Sequence, residues 1–400
     1  MPNIKTKAIF YAYSNNALDH LAPYAYLCQQ KKMQCIVIYG EDFNRHKVKP
    51  KNNIVKIFAD QNISTFDIAH FKKKGFLQTV FSNLWIFSKK IEKYYLIPIF
   101  FKNKIKGLSN MIFERLDGEL IGENIASILL KDTNKVIVFI DLWNTNKKIQ
   151  NGFLLHMKGK AEIISTNHTP YHFIQEKVIQ TSTYYEDTAL LGNHWEADNK
   201  SMVKRKEIIG CLRYSKKWST ILDHYSGNKA PDNGHKKNVL VLTHNDKHTK
   251  DWKRMLELLG KIVKRDDINL CVLPHVRGMV NIKPPEDLKN VWDNKSSLDV
   301  AVNKSDIVIF WVSSAIFEAV IKNKRVLYLS FLSQIDGKFL WQKNAPSNII
   351  IKNEVELFRE LDNYDKNDVI DNNCFEKTIW PKGDPWLNVT NFLDKLLNSN

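Results

Sequence analysis

Short unbroken apolar runs alternate along the chain with longer stretches in which apolar residues recur every three to four positions. Lys7–Tyr13 (KAIFYAY), Gln34–Tyr39, Ile54–Ala59, Lys135–Asp141 (KVIVFID) and Ala161–Thr166 read as strands. Leu18–Gln30, Gly118–Leu130 and Lys147–Lys160 read as helices, and Phe71 to about Leu108 reads as a mostly helical region interrupted at Pro98. A short strand, Glu207–Ile209, ends in Gly210 and is followed by a further helix. Ser226–Lys237 (SGNKAPDNGHKK) is polar and rich in turn formers, and the alternation restarts beyond it. Asn238–Thr243, Asn269–Leu273, Asp306–Val312, Arg325–Phe331 and Asn348–Ile351 are predicted strands. Asp251–Arg265, Ser297–Lys304, the segment after Ser314, Val355–Tyr364 and Pro385–Leu397 are predicted helices. Unbroken Val/Ile strands separated by helices are the pattern of parallel sheets covered on both faces. The expected architecture is α/β, with two Rossmann-like doubly wound domains facing an interdomain cleft. Residues 1–225 are expected to form the first domain, 226–237 the linker, and 238–400 a second domain that carries the terminal helix.

Length supports two cores, since 400 residues exceed what one ordinary core accommodates. A hydrophobic fraction of 44% excludes global disorder. The formal charge of +16 fits an anionic partner, although the lysines are scattered and also suit a plain solvated surface. Five cysteines (Cys28, Cys35, Cys211, Cys271, Cys374) contain no CxxC pair, which disfavours a disulfide framework or zinc site and fits a reducing cytoplasm. Met1 to Lys7 runs directly into a strand, so no secretory signal is expected, and the longest apolar run, Tyr94–Phe101, is too short to span a bilayer. A cytoplasmic protein, at most peripheral at the inner face of the membrane, is the expectation.

Neither GxGxxG nor GxxxxGK[ST] occurs, so any phosphate must be held by serines, a helix end and basic side chains. Ser313 and Ser314 stand between a buried strand and a helix, where amides and the dipole favour an anion. Plain N-capping explains them as well. Glu318, in that helix's first turns, suits ribose hydroxyls or the helix dipole. His275 and Arg277 directly follow the strand Asn269–Leu273, at the sheet edge where binding groups concentrate. His244 and Asn245 follow the first strand of this half and face the same cleft, unless they form a simple turn. In the first half Asp141 closes one strand and His168 follows another; Asp141 suits a carboxylate nucleophile, a base or merely a helix cap, and His168 a general base or a structural histidine. Arg213 lies three residues after Gly210, near the domain junction.

These elements resemble the GT-B glycosyltransferases of bacterial surface-polysaccharide (capsule and lipopolysaccharide) assembly. The nearest members are the Kdo (ulosonic acid) transferases and the CDP-glycerol glycerophosphotransferases. Gly210-Cys-Leu-Arg213, with Tyr214 and Trp218, stands in the place of their GxPR-type element. Leu273-Pro-His275-Val-Arg277 stands for their Lys-Pro-His-x-Arg element, and Ser313-Ser314 with Glu318 for their strand–Ser-Ser–helix element. The order agrees over roughly residues 160–330, while the first 130 residues match only in α/β character. His168 occupies the place of a His-Gly turn that supplies the family's base, but Thr169 replaces the glycine.

The resemblance implies a cytidine nucleotide-sugar donor, a CMP-activated ulosonic acid first and CDP-glycerol as the alternative. The acceptor would be a glycan or lipid-linked, with Arg213, His275, Arg277, Ser313, Ser314 and Glu318 on the donor side and no metal or organic cofactor. A nucleotide-sugar epimerase of similar fold is a further option. The basic-aromatic stretch from Lys72 to Lys104 suits either a membrane surface or a helix pair with lysines outward. A nucleic-acid-binding protein or a noncatalytic membrane scaffold are the competitors from other classes. No nucleic-acid-binding module is visible, so no nucleic-acid partner is expected.

Overall fold

The computed structural model describes residues 6–40, 43, 50–71, 104, 107, 115–131, 133, 135–141, 148–166, 185–199, 203, 205–226, 236–244, 249–274, 284–293, 296–368 and 370–398. The chain divides into two compact units, the first ending at Glu207 and the second running from Ile208 to Asn400, with Gly192–Glu196 also counted in the second.

The first unit contains β1 (Thr6–Ala12), α1 (Asn15–Gln30), β2 (Gln34–Tyr39), α2 (Asn52–Asp60), β3 (Ser64–Asp67), α3 (Ile121–Leu129), β4 (Lys135–Asp141), α4 (Lys148–Met157), β5 (Glu162–Thr166), β6 (Thr188–Leu191) and β7 (Arg205–Ile208). The strands form a seven-stranded sheet in the order β3-β2-β1-β4-β5-β6-β7. Neighbours from β3 through β6 pair in parallel. The order reverses between β1 and β4, the switch point of a doubly wound sheet. One face buries Ile9, Tyr11, Val138 and Ile140 against α3 and α4, where Tyr11 stacks on Phe153 at 5.6 Å. On the opposite face Phe10 stacks on Phe139 at 4.9 Å, and Tyr24 of α1 covers that pair at 5.9 Å.

The second unit contains α5 (Lys216–Ser226), β8 (Lys237–Leu242), α6 (Trp252–Val263), β9 (Ile268–Leu273), α7 (Leu298–Lys304), β10 (Ile307–Phe310), α8 (Ile316–Ile321), β11 (Arg325–Leu329), β12 (Ile350–Ile351), α9 (Glu354–Asp362), α10 (Asn373–Ile379) and α11 (Pro385–Asn398). Its five strands run β12-β11-β10-β8-β9, every pairing parallel. Here the order reverses between β10 and β8.

Local chemistry explains many of the ends. Ser14 caps α1 by accepting from the Ala17 amide at 3.3 Å, Asp251 caps α6 through Arg254 and Asn353 caps α9 through Glu356. The two leading strands share a device: Lys7 Nζ donates to Leu129 O at the end of α3 (2.7 Å), and Lys237 Nζ to Leu361 O at the end of α9 (2.6 Å). Each lysine places positive charge at a helix C-terminus.

One expectation is corrected. Ile54–Ala59, expected as a strand, lies inside α2: its buried residues Ile54, Ile57 and Phe58 fall at i, i+3 and i+4, a helical face, and the strand follows at β3. The unit boundary falls at Ile208, ahead of the polar stretch at 226–237. Polar contacts hold α5 to the second unit. Ser226 Oγ donates to Asp299 at 2.6 Å, Asn303 Nδ2 to Asp223 at 2.7 Å, and the largely buried Lys322 to Asp223 at 2.6 Å. Most of the Phe71–Leu108 region and residues 227–235 of the linker lie outside the described residues.

Among the described residues no helix is long and apolar enough to cross a membrane. None of the five cysteines forms a disulfide, and burial pushes the Cys35 thiol up to about 12 and the Cys271 and Cys374 thiols up to about 11. These three are thiols at neutral pH, not nucleophiles.

The turn before β9 carries an acid-labile pair. Arg265 donates twice to Asp267, at 2.9 and 2.7 Å, and holds that carboxyl at about 2, below its ordinary 3.8. A depressed carboxyl stabilises the fold above its unfolded value and loses that contribution as pH falls through the folded one. The melting-temperature difference between wild type and Asp267→Asn should be constant above about pH 5 and shrink toward pH 2. Because the carboxylate is 43% exposed the effect is small, and a difference that stays flat over that range contradicts it.

Candidate active site

In open α/β sheets ligands seat beyond the carboxyl ends of the strands at the switch point. In the second unit that place lies between β8 and β10. The chain after β8 supplies Thr243 and His244, and the chain after β10 supplies Trp311 to Ser314. Thr243 turns toward β9, its amide donating to Leu273 O at 3.2 Å. The fully buried Trp311 donates its indole N–H to Thr249 Oγ1 at 3.0 Å, and Gln334 donates to the Thr249 carbonyl at 3.1 Å. Three carboxyl-edge segments are thereby fastened around this point.

Ser313 and Ser314 occupy the turn between β10 and α8, and here the structure revises the expected helix cap. Ala315 is the residue preceding α8, and α8 itself is only 6 residues long. Ser313 Oγ accepts from the Ala315 amide at 3.2 Å. The amides of Ile316, Phe317 and Glu318 donate to the carbonyls of Ser313, Ser314 and Ala315 at 3.4, 3.2 and 3.1 Å. The first-turn amides are thus engaged within the turn, so an anion here would rely on hydroxyls and side-chain cations more than on the helix end. The Ser314 hydroxyl has no hydrogen-bond partner among the described residues.

The Gly210-Cys-Leu-Arg213 segment is anchored beside this turn. Gly210 has φ +85°, and a Cβ there would stand 2.9 Å from Ile379 O, so both conformation and packing exclude a side chain. The next amide, Cys211 N–H, donates to Ile379 O at 3.0 Å, and the Trp380 indole N–H donates to Tyr214 O at 3.0 Å. These bonds fix the single 3-10 turn Leu212–Tyr214. From it Tyr214 donates its hydroxyl to Ser314 O at 3.1 Å, with its ring 5.5 Å from that of Phe317. The Arg213 guanidinium lies 5.3 Å from the Tyr214 ring centroid. Arg213 and the serine turn, a hundred residues apart, are therefore joined through one tyrosine.

The segments that carry Arg213 and Ser313–Ser314 meet in the second unit through the Tyr214 hydroxyl on Ser314 O, with the buried Glu318 one residue beyond Phe317. His244 is half-buried after β8. Asp141 belongs to the first unit, where it ends β4 at 1% exposure. His168, Asn245, His275 and Arg277 lie outside the described residues, although Pro274, just before His275, is placed at the end of β9. Sequence reading passed over Tyr214 as a joint and Trp380 altogether. Trp380 carries no local signal, since its role depends on a partner 166 residues away. Among the described residues no cluster of His, Cys, Asp and Glu could hold a metal ion.

No protein-family model matches the chain, and no curated protein matches it. Solved structures do. A UDP-GlcNAc 2-epimerase from Methanocaldococcus jannaschii superposes with a TM-score of 0.52 at 10% identity, covering 99% of this chain and 100% of its own. The wall teichoic acid polymerase TagF, as an H444N variant with CDPG, gives 0.53 at 12% identity, covering 99% of this chain and 89% of TagF. The glycotransferase of kitacinnamycin gives 0.50 at 8% identity, covering 98% and 99%. At these identities the likeness concerns the fold, and the two parallel sheets with their separate switch points have the GT-B architecture of two Rossmann-like units.

Proposed function

We propose that the chain is a nucleotide-sugar-dependent glycosyltransferase of surface-polysaccharide assembly, with the donor phosphate on Arg213 and the Ser313–Ser314 turn. The observation that carries this reading is the Tyr214 hydroxyl bond to Ser314 O, which joins the guanidinium segment to the serine turn at the switch point of the second sheet. As the sugar–phosphate bond breaks, negative charge collects on the leaving phosphate. A fixed guanidinium and fixed hydroxyls stabilise that charge without reorganising. His275 and Arg277 are assigned to the same phosphate, and Glu318 to the ribose side. Asp141 and His168 are assigned to the acceptor hydroxyl. No metal is needed in this reading, because the cations are side chains.

The donor is a CMP-activated ulosonic acid such as Kdo, on the motif resemblance at Gly210–Arg213, Leu273–Arg277 and Ser313–Glu318. The acceptor is a glycan or lipid-linked. Transfer of glycerol phosphate from CDP-glycerol is the second reading, favoured by the fold shared with TagF, whose structure was obtained with CDPG.

A thermal-shift screen of CMP, CDP, UDP and GDP tests both. A nucleotide at a hundred times its Kd adds about 2.7 kcal/mol of stability. Stabilisation by CMP or CDP and not by the others is the expected result. Preference for UDP moves the reading toward the epimerase-like members of this fold, and no shift with any nucleotide removes the donor site.

A further inference from the structure

The amino edge of the second sheet, at the far end of β10 from the serine turn, gathers three lysines around two carboxylates. α8 ends at Ile321, and Asn323, with φ +52°, turns the chain so that Lys322 and Lys324 flank a tight bend into β11. The Lys324 amide closes that bend on Ala319 O at 2.9 Å. Packed against it are Asp223 of α5, Asn303 of α7 and Asp306, whose carbonyl accepts from the Arg325 amide at 3.2 Å.

The carboxylates here are already committed. Lys322 Nζ donates to Asp223 Oδ1 and to Asn303 Oδ1, both at 2.6 Å, and its side chain is 8% exposed. Asp306 Oδ2 accepts from the amide and the side-chain N–H of Asn238, at 2.8 and 3.1 Å, and Lys366 Nζ stands 3.7 Å from the same oxygen. Lys324 Nζ reaches a neutral acceptor, Asn303 O, at 3.4 Å. Among the described residues no carboxylate lies within ion-pair distance of it. Three cations share two anions, and the half-buried Lys324 is the one left over. Burial lowers its amine from the ordinary 10.5; Asp306 and Asp223 oppose this, and the ammonium groups of Lys322 and Lys366 add to it. A desolvated amine beside other cations is an activated nucleophile.

We propose that Lys324 is an acylation site that takes its acyl group from a small acyl phosphate. Lys322 and the half-exposed Lys366 set positive charge beside the amine, which suits an anionic donor over a neutral one. In the step, the neutral amine forms a C–N bond to the acyl carbon. The C–O bond to the phosphate breaks, and its electron pair leaves with the phosphate. One amine proton passes to that phosphate. The amide product carries no charge, so the cluster is left with two cations for its two carboxylates. The proposal does not depend on the donor site, which lies at the opposite edge of the sheet.

The test treats full-length protein with limiting acetyl phosphate near neutral pH and follows acetyl occupancy at each lysine by peptide mass spectrometry. Lys253, with its side chain 89% exposed and 3.8 Å from Glu257, is the reference. Lys324 should react about tenfold faster than Lys253, and equal or slower reaction overturns the proposal. In urea the two rates should converge. A preference that survives unfolding belongs to the local sequence and overturns the role of the cluster. Lys322→Met removes a neighbouring ammonium and opens Asp223 to Lys324, so acetylation there should slow about threefold or more. Lys366→Met, on an exposed side chain, opens Asp306 in the same way and serves if the first variant does not fold. An unchanged rate in the folded variant overturns the charge argument. With succinimidyl acetate, a neutral reagent, the preference for Lys324 should shrink, and a preference as large as with acetyl phosphate overturns the acyl phosphate assignment.

Discussion

Gly152→Ala is expected to cost about 3 kcal/mol or more, a large fraction of the roughly 5–15 kcal/mol by which a domain is ordinarily stable. A Cβ at position 152 would stand 1.6 Å from Gly118 O and 2.4 Å from Gly118 C. Both are backbone atoms, so no rotamer change can make room. Gly122 repeats the constraint from the other helix, its Cβ falling 2.2 Å from the Phe153 amide. The α3–α4 crossing is therefore set by three glycines, and it is the layer that covers Tyr11, Val138 and Ile140. Gly159→Ala is the control: its φ of +76° is unfavourable for alanine, but a Cβ there meets nothing within 4 Å. That variant should lose only about 1–2 kcal/mol. Urea unfolding of the two variants decides the matter, and near-equal midpoints would contradict the packing argument.

The glycine contact also shows what the sequence makes legible. β2 and β4 are readable to the residue because each is a continuous apolar run that both faces of a parallel sheet require. α2 reads as a strand because Ile54–Ala59 (IVKIFA) is a short apolar run broken only by Lys56, which suits either a strand or a helix, and only burial reveals the i, i+3, i+4 face. The helix α10 and the strand β6 gave no clear pattern, being short and bounded by polar residues. Candidate site residues were found where chemistry sits at a strand end, as at Ser313, Ser314 and Asp141. What escaped was the wiring. Nothing in Gly210 announces that Ile379 O occupies the space of its missing side chain, and nothing in Tyr214 announces Ser314. Long-range register is the information that periodicity lacks.

Arg213→Ala should weaken nucleotide binding about 10- to 100-fold, the loss of a charge-assisted hydrogen bond of about 1.5–3 kcal/mol. The fold should survive, because the bonds that fix this turn come from the backbone of Cys211 and Tyr214 to Ile379 and Trp380. Arg213→Lys separates charge from shape: a point charge without the planar fork recovers only part of the affinity. Tyr214→Phe isolates the joint. Its loss strands no group, since Ser314 O keeps the Phe317 amide at 3.2 Å, so stability should change little. Affinity should nevertheless fall about threefold to tenfold as the serine turn loses its tie to the Arg213 segment, the range of one neutral hydrogen bond. Calorimetric titration of each variant with CMP and CDP gives the comparison. If Tyr214→Phe binds as wild type while Arg213→Ala does not, the guanidinium acts without the turn. If both bind as wild type, the phosphate is held elsewhere on the carboxyl edge and the serine turn serves only to start α8.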